Sequence, residues 1–407
     1  MSVDDARCET PSDAEALSRT LAALSRSGAR VRVRGGDTKP ALGLASAPAD
    51  LVLSTAQLDE IDVVDAEEGV AHAGAGVTLA RLRAAAATVG WGLGLDPASG
   101  DSTLGGVLAA AEVGPRLRGF GRPRDVVLGL EVVLPTGERT RCGGRVVKNV
   151  TGYDLAKLHC GALGTLGVIE GAWLRLHKPP EAARTLVLEA PDAASAVVLA
   201  RAAADLATAR AVVVLDAATA RSLLPDAVRS DGPALVVELA GAAPVVAAHA
   251  ERLARGTRAT EPARASDGEC ELLDRIRTWH RAAFEGGDLA VRIGGRPSRT
   301  AALLVALPRA GASVVAHPFA GLVFARLPLP PERDDDALRA ALAALDDAGR
   351  TAEASLRLEG GPEWARRPHA LFAPSGAVRE ISRSIARRFD PAGVLSAERA
   401  IGDAGAA

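Results

Sequence analysis

Several residue types and patterns are scarce in this sequence, and each scarcity excludes a class of protein. Aromatic residues make up 3% of the 407 residues, and no apolar run approaches the ~20 residues that span a bilayer. The polar start, MSVDDARCETPSDAEA, does not have the pattern of a signal peptide. The net charge is −2, without a basic segment that would indicate nucleic-acid binding. We therefore expect a cytoplasmic protein with no direct membrane span and no nucleic-acid partner.

Clustered metal ligands are also missing. The four cysteines form no CxxC pair, and the seven histidines form no HxH or HxxxH arrangement. Zinc and iron–sulfur sites need ligands at such short spacings. We therefore predict no metal site within this chain, so that any iron–sulfur cluster would belong to a partner.

The composition is otherwise that of a globular protein. Hydrophobic residues make up 48% and charged residues 24%, which excludes wholesale disorder. The length predicts two domains, or three, each with its own core.

The first half of the chain mixes short strands with helices. A helix is predicted over residues 13–27 with Ser12 as its cap, and another begins at Thr78. Strands are predicted over residues 30–34, 51–54, 61–64 and 69–75. This order indicates an α+β fold.

One segment imitates a dinucleotide-binding fingerprint. The sequence from Gly74 to Leu79, GAGVTL, follows a predicted strand and opens a helix. However, Leu79 stands where the third glycine belongs, and no acidic residue closes a βαβ unit. A strand-to-helix turn is the favoured interpretation, with a Rossmann unit as the alternative.

After residue 180 the pattern changes to two rounds of alternating strands and helices. These rounds predict an antiparallel sheet with helices packed on one face. A last helix is predicted over residues 378–393, where Pro391 and Gly393 end it. We therefore divide the chain into residues 1–180, a cap over 181–377, and a return segment over 378–407 that packs on the first domain.

Three glycine-rich loops in the first half carry the functional prediction. The first, RGGDTK over residues 34–39, offers a row of backbone N–H groups for an anion, although the carboxylate of Asp37 must point away from a phosphate. The second, PASGDSTLGG over residues 97–106, presents hydroxyls and free N–H groups before a predicted helix over 107–111. The third ends in GALGTLGVI over residues 161–169 and supplies glycine-spaced backbone that could lie along a ring system.

In this order and spacing, the loops resemble the flavin-binding domain of the vanillyl-alcohol oxidase/p-cresol methylhydroxylase superfamily, and within it the flavin-binding subunits of bacterial glycolate oxidase. The segments over 114–119 and 124–138, the run GGRVVKNVTGYDLAKL and the tail ARRFDPAGVLS are similar to the same proteins. The resemblance implies a p-cresol methylhydroxylase-type FAD-binding domain followed by an α+β cap with an antiparallel sheet.

The cofactor-binding residues that the resemblance implies come from these segments. They are Arg34, Gly35, Gly36, Asp37, Thr38, Lys39, Pro97, Ser99, Gly100, Asp101, Ser102, Thr103, Leu104, Gly105, Gly106, Arg116, Gly164, Gly167 and Val168.

Departures from the family narrow the prediction. Residues 37–39 contain no histidine or cysteine for a covalent link, so the FAD is expected to be non-covalent. The histidine motif by which catalytic relatives bind a metal is missing, and Ser396, Ala397 and Glu398 replace the usual Asn-Pro-Gly. We therefore leave the catalytic residues unassigned.

The resemblance implies an FAD-dependent oxidoreductase subunit of a glycolate oxidase-type complex, which oxidises glycolate or another small 2-hydroxy acid. Its expected partners are a sister flavin subunit and an iron–sulfur subunit, through which it could also associate with a membrane. The alternatives are a stand-alone FAD oxidase or dehydrogenase of another alcohol, and a non-catalytic scaffold with a relic flavin domain.

The sequence alone does not identify the residues that contact the substrate. Arg292 could hold a carboxylate, although a strand arginine that faces solvent is the favoured interpretation. Tyr153 could donate a proton or contact the flavin, or be a packed ring with a satisfied hydroxyl. Lys148 and Asp154 are similarly ambiguous.

Overall fold

The computed structural model describes residues 7–45, 48–145, 153–255, 259–260, 271–283, 285, 287–367, 369–374 and 376–401. The strands are β1 (Arg7–Glu9), β2 (Val31–Arg34), β3 (Leu51–Ser54), β4 (Ile61–Asp65), β5 (Val70–Gly74), β6 (Gly92–Leu93), β7 (Val127–Val133), β8 (Arg139–Gly143), β9 (Val168–His177), β10 (Ala182–Glu189), β11 (Ala209–Leu215), β12 (Ala234–Gly241), β13 (Ala259–Thr260), β14 (Leu289–Gly294), β15 (Ser313–His317), β16 (Leu322–Leu327) and β17 (Ser355–Gly360). The helices are α1 (Ala14–Ser27), α2 (Leu79–Thr88), α3 (Leu104–Ala110), α4 (Leu117–Phe120), α5 (Pro123–Val126), α6 (Ala156–His159), α7 (Ala193–Ala204), α8 (Ala217–Leu223), α9 (Ala243–Ala254), α10 (Glu271–Ala283), α11 (Thr300–Arg309), α12 (Asp335–Ala352), α13 (Gly376–Phe389) and α14 (Glu398–Ile401).

The small sheet has the order β1-β3-β2 with parallel pairing, and α1 packs on it. The cap of α1 is Asp13, whose carboxylate accepts a hydrogen bond of 2.7 Å from the Ala16 N–H. Ser12 was therefore the wrong cap by one residue, because its hydroxyl donates to Asp13 instead. Leu17 and Leu21 are fully buried and join this sheet's core.

The middle sheet has the order β4-β5-β9-β7-β8, with β6 paired to β9. Helices α2 and α3 cover it through a shared apolar core. Strand β5 is antiparallel to both neighbours, so the segment from Gly74 to Leu79 is a strand-to-helix turn and not part of a parallel βαβ unit. Thr78 caps α2, as predicted.

The large sheet has eight strands in the order β13-β10-β12-β11-β15-β16-β14-β17, all antiparallel. The antiparallel sheet was predicted, but strand β15 was missed. Helices α7, α9, α11 and α12 pack on one face. The prediction that the helices use one face alone is wrong, because α8 and α10 pack on the other.

Alternation along the strands explains this two-sided packing. In β11, Val212 and Val214 point to one core, while Ala211 and Val213 point to the other. A central strand with both sets apolar must be covered on both faces. Part of the second face is covered by residues of the first half, including Leu117 and Val113.

The C-terminal residues contact the small sheet. The Val31 N–H donates to the Val394 carbonyl oxygen at 2.9 Å, and Leu395 forms a parallel bridge to Val31. Ala386 packs with Leu166. The domain boundaries at residues 180 and 377 stay a prediction. No helix in the described part of the chain is long and apolar enough to cross a membrane.

Candidate functional site

The first and second glycine loops form one unit, although more than 60 residues separate them. The hydroxyls of Thr38 and Ser102 are 3.0 Å apart, and the Lys39 ammonium donates to the Ser102 hydroxyl at 3.2 Å. The Gly36 N–H donates to Thr103 Oγ1 at 3.4 Å. Hydroxyls, an ammonium and backbone N–H groups, all suited to binding an anion, are therefore held together.

Glycine at positions 35 and 36 is required by this close approach. A Cβ on Gly35 would lie 2.4 Å from Thr103 Oγ1, and one on Gly36 would lie 2.9 Å from the Asp101 carbonyl oxygen. Any larger residue would therefore push the two loops apart.

A buried ion pair fixes the first loop to the far end of α3. Lys39 Nζ lies 2.5 Å from Glu112 Oε2, and these side chains are 9% and 4% exposed. Glu112 also accepts a hydrogen bond of 2.8 Å from the Ala98 N–H in the second loop. The loops are thus held by buried charges as well as by hydroxyls.

All three loops meet at one cavity of about 550 Å³, including its open mouth. It is lined by Val33, Gly35, Thr55, Gly105, Gly106, Ala109, His159, Ala162, Leu163, Gly164, Gly167, Val168 and Ile169. Six of these are predicted cofactor residues. Gly164 has φ +73°, and a Cβ on it would meet nothing within 4 Å, so bare backbone faces the open space there. A glycine-walled cavity beside anion-binding groups fits FAD, and we call it the flavin cavity.

The other predicted cofactor residues lie outside this lining. They are Arg34, Gly36, Asp37, Thr38, Lys39, Pro97, Ser99, Gly100, Asp101, Ser102, Thr103, Leu104 and Arg116. Arg34 and Asp37 line a separate groove with Arg366, and Asp37 has φ +52°. Leu104 is fully buried, so its side chain contributes to the core.

The expected free N–H groups at the start of α3 are not free. The N–H groups of Leu104 and Gly105 donate to the carbonyl oxygens of Val77 and Ala75, each at 2.8 Å. A Cβ on Gly105 would lie 2.7 Å from the Ala75 Cβ. Glycine at 105 therefore serves the packing of α3 on the turn before α2, and a Gly105→Leu variant would disturb the fold rather than test cofactor binding.

Arg116 lies away from the flavin cavity. Its Nε and Nη2 donate to Glu238 at 2.9 and 3.0 Å, and Arg210 binds the same carboxylate. Burial opposes ionisation of Glu238, but the two arginines outweigh it and hold its pKa below the usual value. This triad joins the first half of the chain to the large sheet, and cofactor contact by Arg116 stays a prediction.

A second cavity, of about 970 Å³ including its mouth, lies where α3 ends. We call it the arginine cavity. The described residues that line it are Ala111, Val113, Arg122, Arg124, Cys160, Gly161, Arg292, Gly294, Leu322, Ser355, Leu356 and Arg357. Arg292 donates to the Ala111 carbonyl oxygen at 3.2 Å, and Arg357 donates to that of Ala110 at 3.0 Å. Two arginines of the large sheet therefore bind the C-terminal end of α3, whose first turn lines the flavin cavity.

Arg292 does not face solvent, so the favoured interpretation of this strand arginine is wrong. Alternation in β14 places Val291 and Ile293 in the core and turns Arg292 toward the opposite face, where its guanidinium donates to the Ala111 carbonyl oxygen just past α3. Burial, and then repulsion by Arg357, lower the pKa of Arg292 to about 9. Glu359 pairs with both guanidinium groups.

The other described residues of ambiguous role, Tyr153 and Asp154, line neither the flavin cavity nor the arginine cavity. Tyr153 is 93% exposed, so the interpretation as a packed ring is wrong. Asp154 forms an exposed ion pair with Lys157 at 2.9 Å. Lys148 lies outside the described residues.

Two buried histidines that the sequence did not single out, His280 and His317, both contact the ring of Phe324 on the face of the large sheet that α8 and α10 cover. Burial lowers the pKa of His280 to about 3 and that of His317 to about 4, so both are neutral. His280 lines a third cavity together with Arg292 and Glu359. The two histidines are far apart in the sequence and belong to no common motif, so sequence reasoning could not have predicted that they lie close together. Among the described residues, no group of three or more potential ligands is placed to hold a metal ion.

Comparisons with known proteins agree with this geometry. Residues 7–143 match the family described as "FAD binding domain". The chain is 39% identical over 166 residues to D-lactate dehydrogenase of Archaeoglobus fulgidus, which is 41% of this chain and 37% of that protein. It is 34% identical over 178 residues to glycolate oxidase subunit GlcD of Bacillus subtilis, 44% of this chain and 38% of that protein. With glycolate oxidase subunit GlcE of Escherichia coli it shares 36% identity over 124 residues, 30% of this chain and 35% of that protein.

The chain therefore matches less than two fifths of the length of each of these relatives. A solved structure of alkyldihydroxyacetonephosphate synthase is similar with a TM-score of 0.66 at 16% identity, over 95% of this chain and 75% of that one, which shows the fold alone. These comparisons confirm the predicted resemblance to glycolate oxidase subunits, the α+β class and FAD as the cofactor.

Proposed function

Because residues 7–143 match the FAD binding domain family, we propose that the chain is an FAD-dependent oxidoreductase that acts on a small 2-hydroxy acid. The FAD is held without a covalent bond, since residues 37–39 contain neither histidine nor cysteine. The flavin cavity residues, with Lys39, Thr38 and Ser102 beside them, hold the cofactor. Bound FAD supplies the acceptor for the two electrons that leave the substrate.

The arginine cavity is the observation that carries this proposal. Helix α3 lines the flavin cavity with Gly105, Gly106 and Ala109 and reaches the arginine cavity one residue past its end, at Ala111. Guanidinium groups bind carboxylates in a two-pronged geometry that also orients them. Arg292 and Arg357 would fix the carboxylate of the acid next to the cofactor site.

The proton acceptor is the missing part. Among the described residues that line the arginine cavity, none is His, Asp, Glu, Lys or Tyr. Burial raises the pKa of the Cys160 thiol to about 12, so this side chain stays protonated. Arginine cannot act as a base at working pH. In the proposed reaction, a second chain supplies the base for the hydroxyl proton.

This gap supports a complex of the glycolate oxidase type, in the cytoplasm, that converts glycolate to glyoxylate. Two of the relatives are named as subunits, GlcD and GlcE. In the proposed complex, this chain passes electrons through its FAD, a sister flavin subunit provides the base, and an iron–sulfur subunit receives the electrons.

A stand-alone FAD dehydrogenase is the second candidate, and His280 favours it. Within the described residues, the buried Nε2 of His280 has no hydrogen-bond partner. The neutral ring lines a cavity with Arg292, and could accept a proton from a substrate held there.

The test starts with the purified chain loaded with FAD. Acid precipitation should leave the yellow colour in solution, and a protein that holds no flavin after reconstitution would refute the proposal. Anaerobic glycolate should bleach the flavin slowly or not at all until the partner subunits are added. Rapid bleaching of the isolated chain would exclude the relay and favour the stand-alone enzyme. In that case, His280→Asn should abolish the rapid bleaching.

A further inference from the structure

We propose that the arginine cavity binds a 2-hydroxy acid that carries a second anionic group, either a carboxylate or a phosphate. This inference rests on the proposed oxidation of a 2-hydroxy acid and narrows its substrate class. It follows from the number of arginines, their partners and their depth in the cavity.

Two arginines line the inner part of the cavity, and one carboxylate outside the lining pairs with both of them. Arg292 and Arg357 lie directly opposite each other in the β14–β17 ladder, where like charges destabilise a sheet. The Glu359 carboxylate is 3.3 Å from Arg292 Nε and 2.6 Å from Arg357 Nη2. One carboxylate is therefore shared by two guanidinium groups, and one positive charge stays uncompensated.

The outer part holds a second pair of arginines, at the start of α5. Arg122 and Arg124 are exposed and reach the cavity from the first half of the chain. The carboxylate of Asp125 lies 4.0 Å from Arg124 Nε and accepts a hydrogen bond from the Arg122 backbone N–H. Within the described residues the Arg122 guanidinium has no hydrogen bond and no ion pair. The outer pair therefore also has one positive charge in excess.

An anion with two charged ends complements this arrangement. Its first carboxylate would neutralise the inner pair, and its second anionic group would meet Arg122 and Arg124 at the mouth. The described lining contains no carboxylate that would repel the second group. Without its open mouth, the cavity has a volume of about 370 Å³, which is large for a two-carbon acid, since cavities of 300–1,000 Å³ typically bind drug-sized ligands.

Calorimetric titration of the full chain with FAD bound tests the charge preference with ligands that cannot be oxidised. Glutarate, a dianion, is compared with butyrate, a monoanion of similar length. We expect glutarate to bind at least tenfold more tightly, and the ratio of the two Kd values to fall to near one in Arg122→Gln. Arg221→Gln, which alters an exposed arginine that pairs with Asp231, should keep the ratio. Equal Kd values for glutarate and butyrate in the unaltered chain, or an unchanged ratio in Arg122→Gln, would overturn the proposal.

Flavin reduction by hydroxy acids then separates this inference from the proposed function and distinguishes the two kinds of second group. The complete assembly is given 2-hydroxyglutarate, 3-phosphoglycerate, glycolate or lactate. Half-maximal reduction at a concentration at least tenfold lower for 2-hydroxyglutarate supports a second carboxylate, and for 3-phosphoglycerate a phosphate. Equal concentrations for all four acids would refute the inference and leave the proposed function standing. Tight glutarate binding without flavin reduction by any of them would support the dianion site and refute the proposed oxidation.

Discussion

Replacing Lys39 with methionine is expected to destabilise the first half of the chain strongly, because it leaves a carboxylate buried without its counter-charge. Glu112 is 4% exposed, and its Oε2 lies 2.5 Å from the Lys39 ammonium. Methionine keeps the length and apolar stem of lysine and removes the charge. The remaining contact of Glu112, with the Ala98 N–H, cannot replace an ammonium.

The size of the effect follows from the burial of the pair. Removing one partner of a buried ion pair typically costs about 3–5 kcal/mol. A loss of 1 kcal/mol lowers the Tm of a 150–250-residue domain by ~2–4 °C. The Lys39→Met variant should therefore unfold roughly 6–20 °C lower. Thermal unfolding of the FAD-free chain, followed by circular dichroism, measures this without a contribution from cofactor binding.

Two further variants make the test sharp. Lys157→Met breaks an exposed pair, with side chains 53% and 55% exposed, and should cost less than about 1 kcal/mol. The double variant Lys39→Met/Glu112→Gln removes both charges and keeps an acceptor for the Ala98 N–H, so it should recover most of the stability. If Lys39→Met unfolds at the same temperature as Lys157→Met, the pair does not hold the loops together and the reasoning is refuted.

Three further predictions concern the cavities and the buried titratable groups. Ala109→Leu should weaken FAD binding at least tenfold by filling the flavin cavity, whereas Ala87→Leu on the exposed side of α2 should not. Equal Kd values for FAD in these two variants, measured by flavin fluorescence, would contradict the assigned site. Because the folded pKa of Glu238 is lowered, its stabilisation is complete above pH 4.5 and is lost as the pH falls below it; urea unfolding from pH 6 to 3 should show this slope in the unaltered chain and a flatter one in Glu238→Gln. For His280, with a folded pKa of about 3, stability should fall as the pH drops below 6.5, by about 2 kcal/mol at pH 5; His280→Asn should reduce that loss while exposed His369→Asn leaves it unchanged.

The glycine loops and most secondary structure were predictable because their signals are local. Thr78 indicates the start of α2, because its side chain caps the first turn of that helix. The partners of the backbone N–H groups at the start of α3 could not be predicted from such a local signal. The carbonyl oxygens of Ala75 and Val77, which occupy the N–H groups at the start of α3, belong to a turn that approaches only in the folded chain.

The arginine cavity shows more clearly where sequence reasoning ends. Arg292 and Arg357 face each other because of strand register, and this register is set by pairing across 65 residues of chain. Nothing in the spacing of Arg122 connects it to either of them. The missed strand β15 has a different cause: it has only five residues, and its apolar run, Val314 to Ala316, is three residues long, which is too short for periodicity to identify it.

The bridge between Val31 and Leu395 has a consequence for how the protein is made. Strand β2 leaves the ribosome long before residues 394 and 395, so its contact with Leu395 and the apolar partner Val394 can form only after the chain has been translated that far. At ~5–20 residues per second, that delay is roughly 20–70 seconds. During it, the edge of β2 and part of the small sheet's core stay uncovered, while the large sheet can already fold from residues that lie between them in the chain. Exposed strand edges of this kind bind other chains, so a newly made copy is open to aggregation at this edge until Leu395 has been translated.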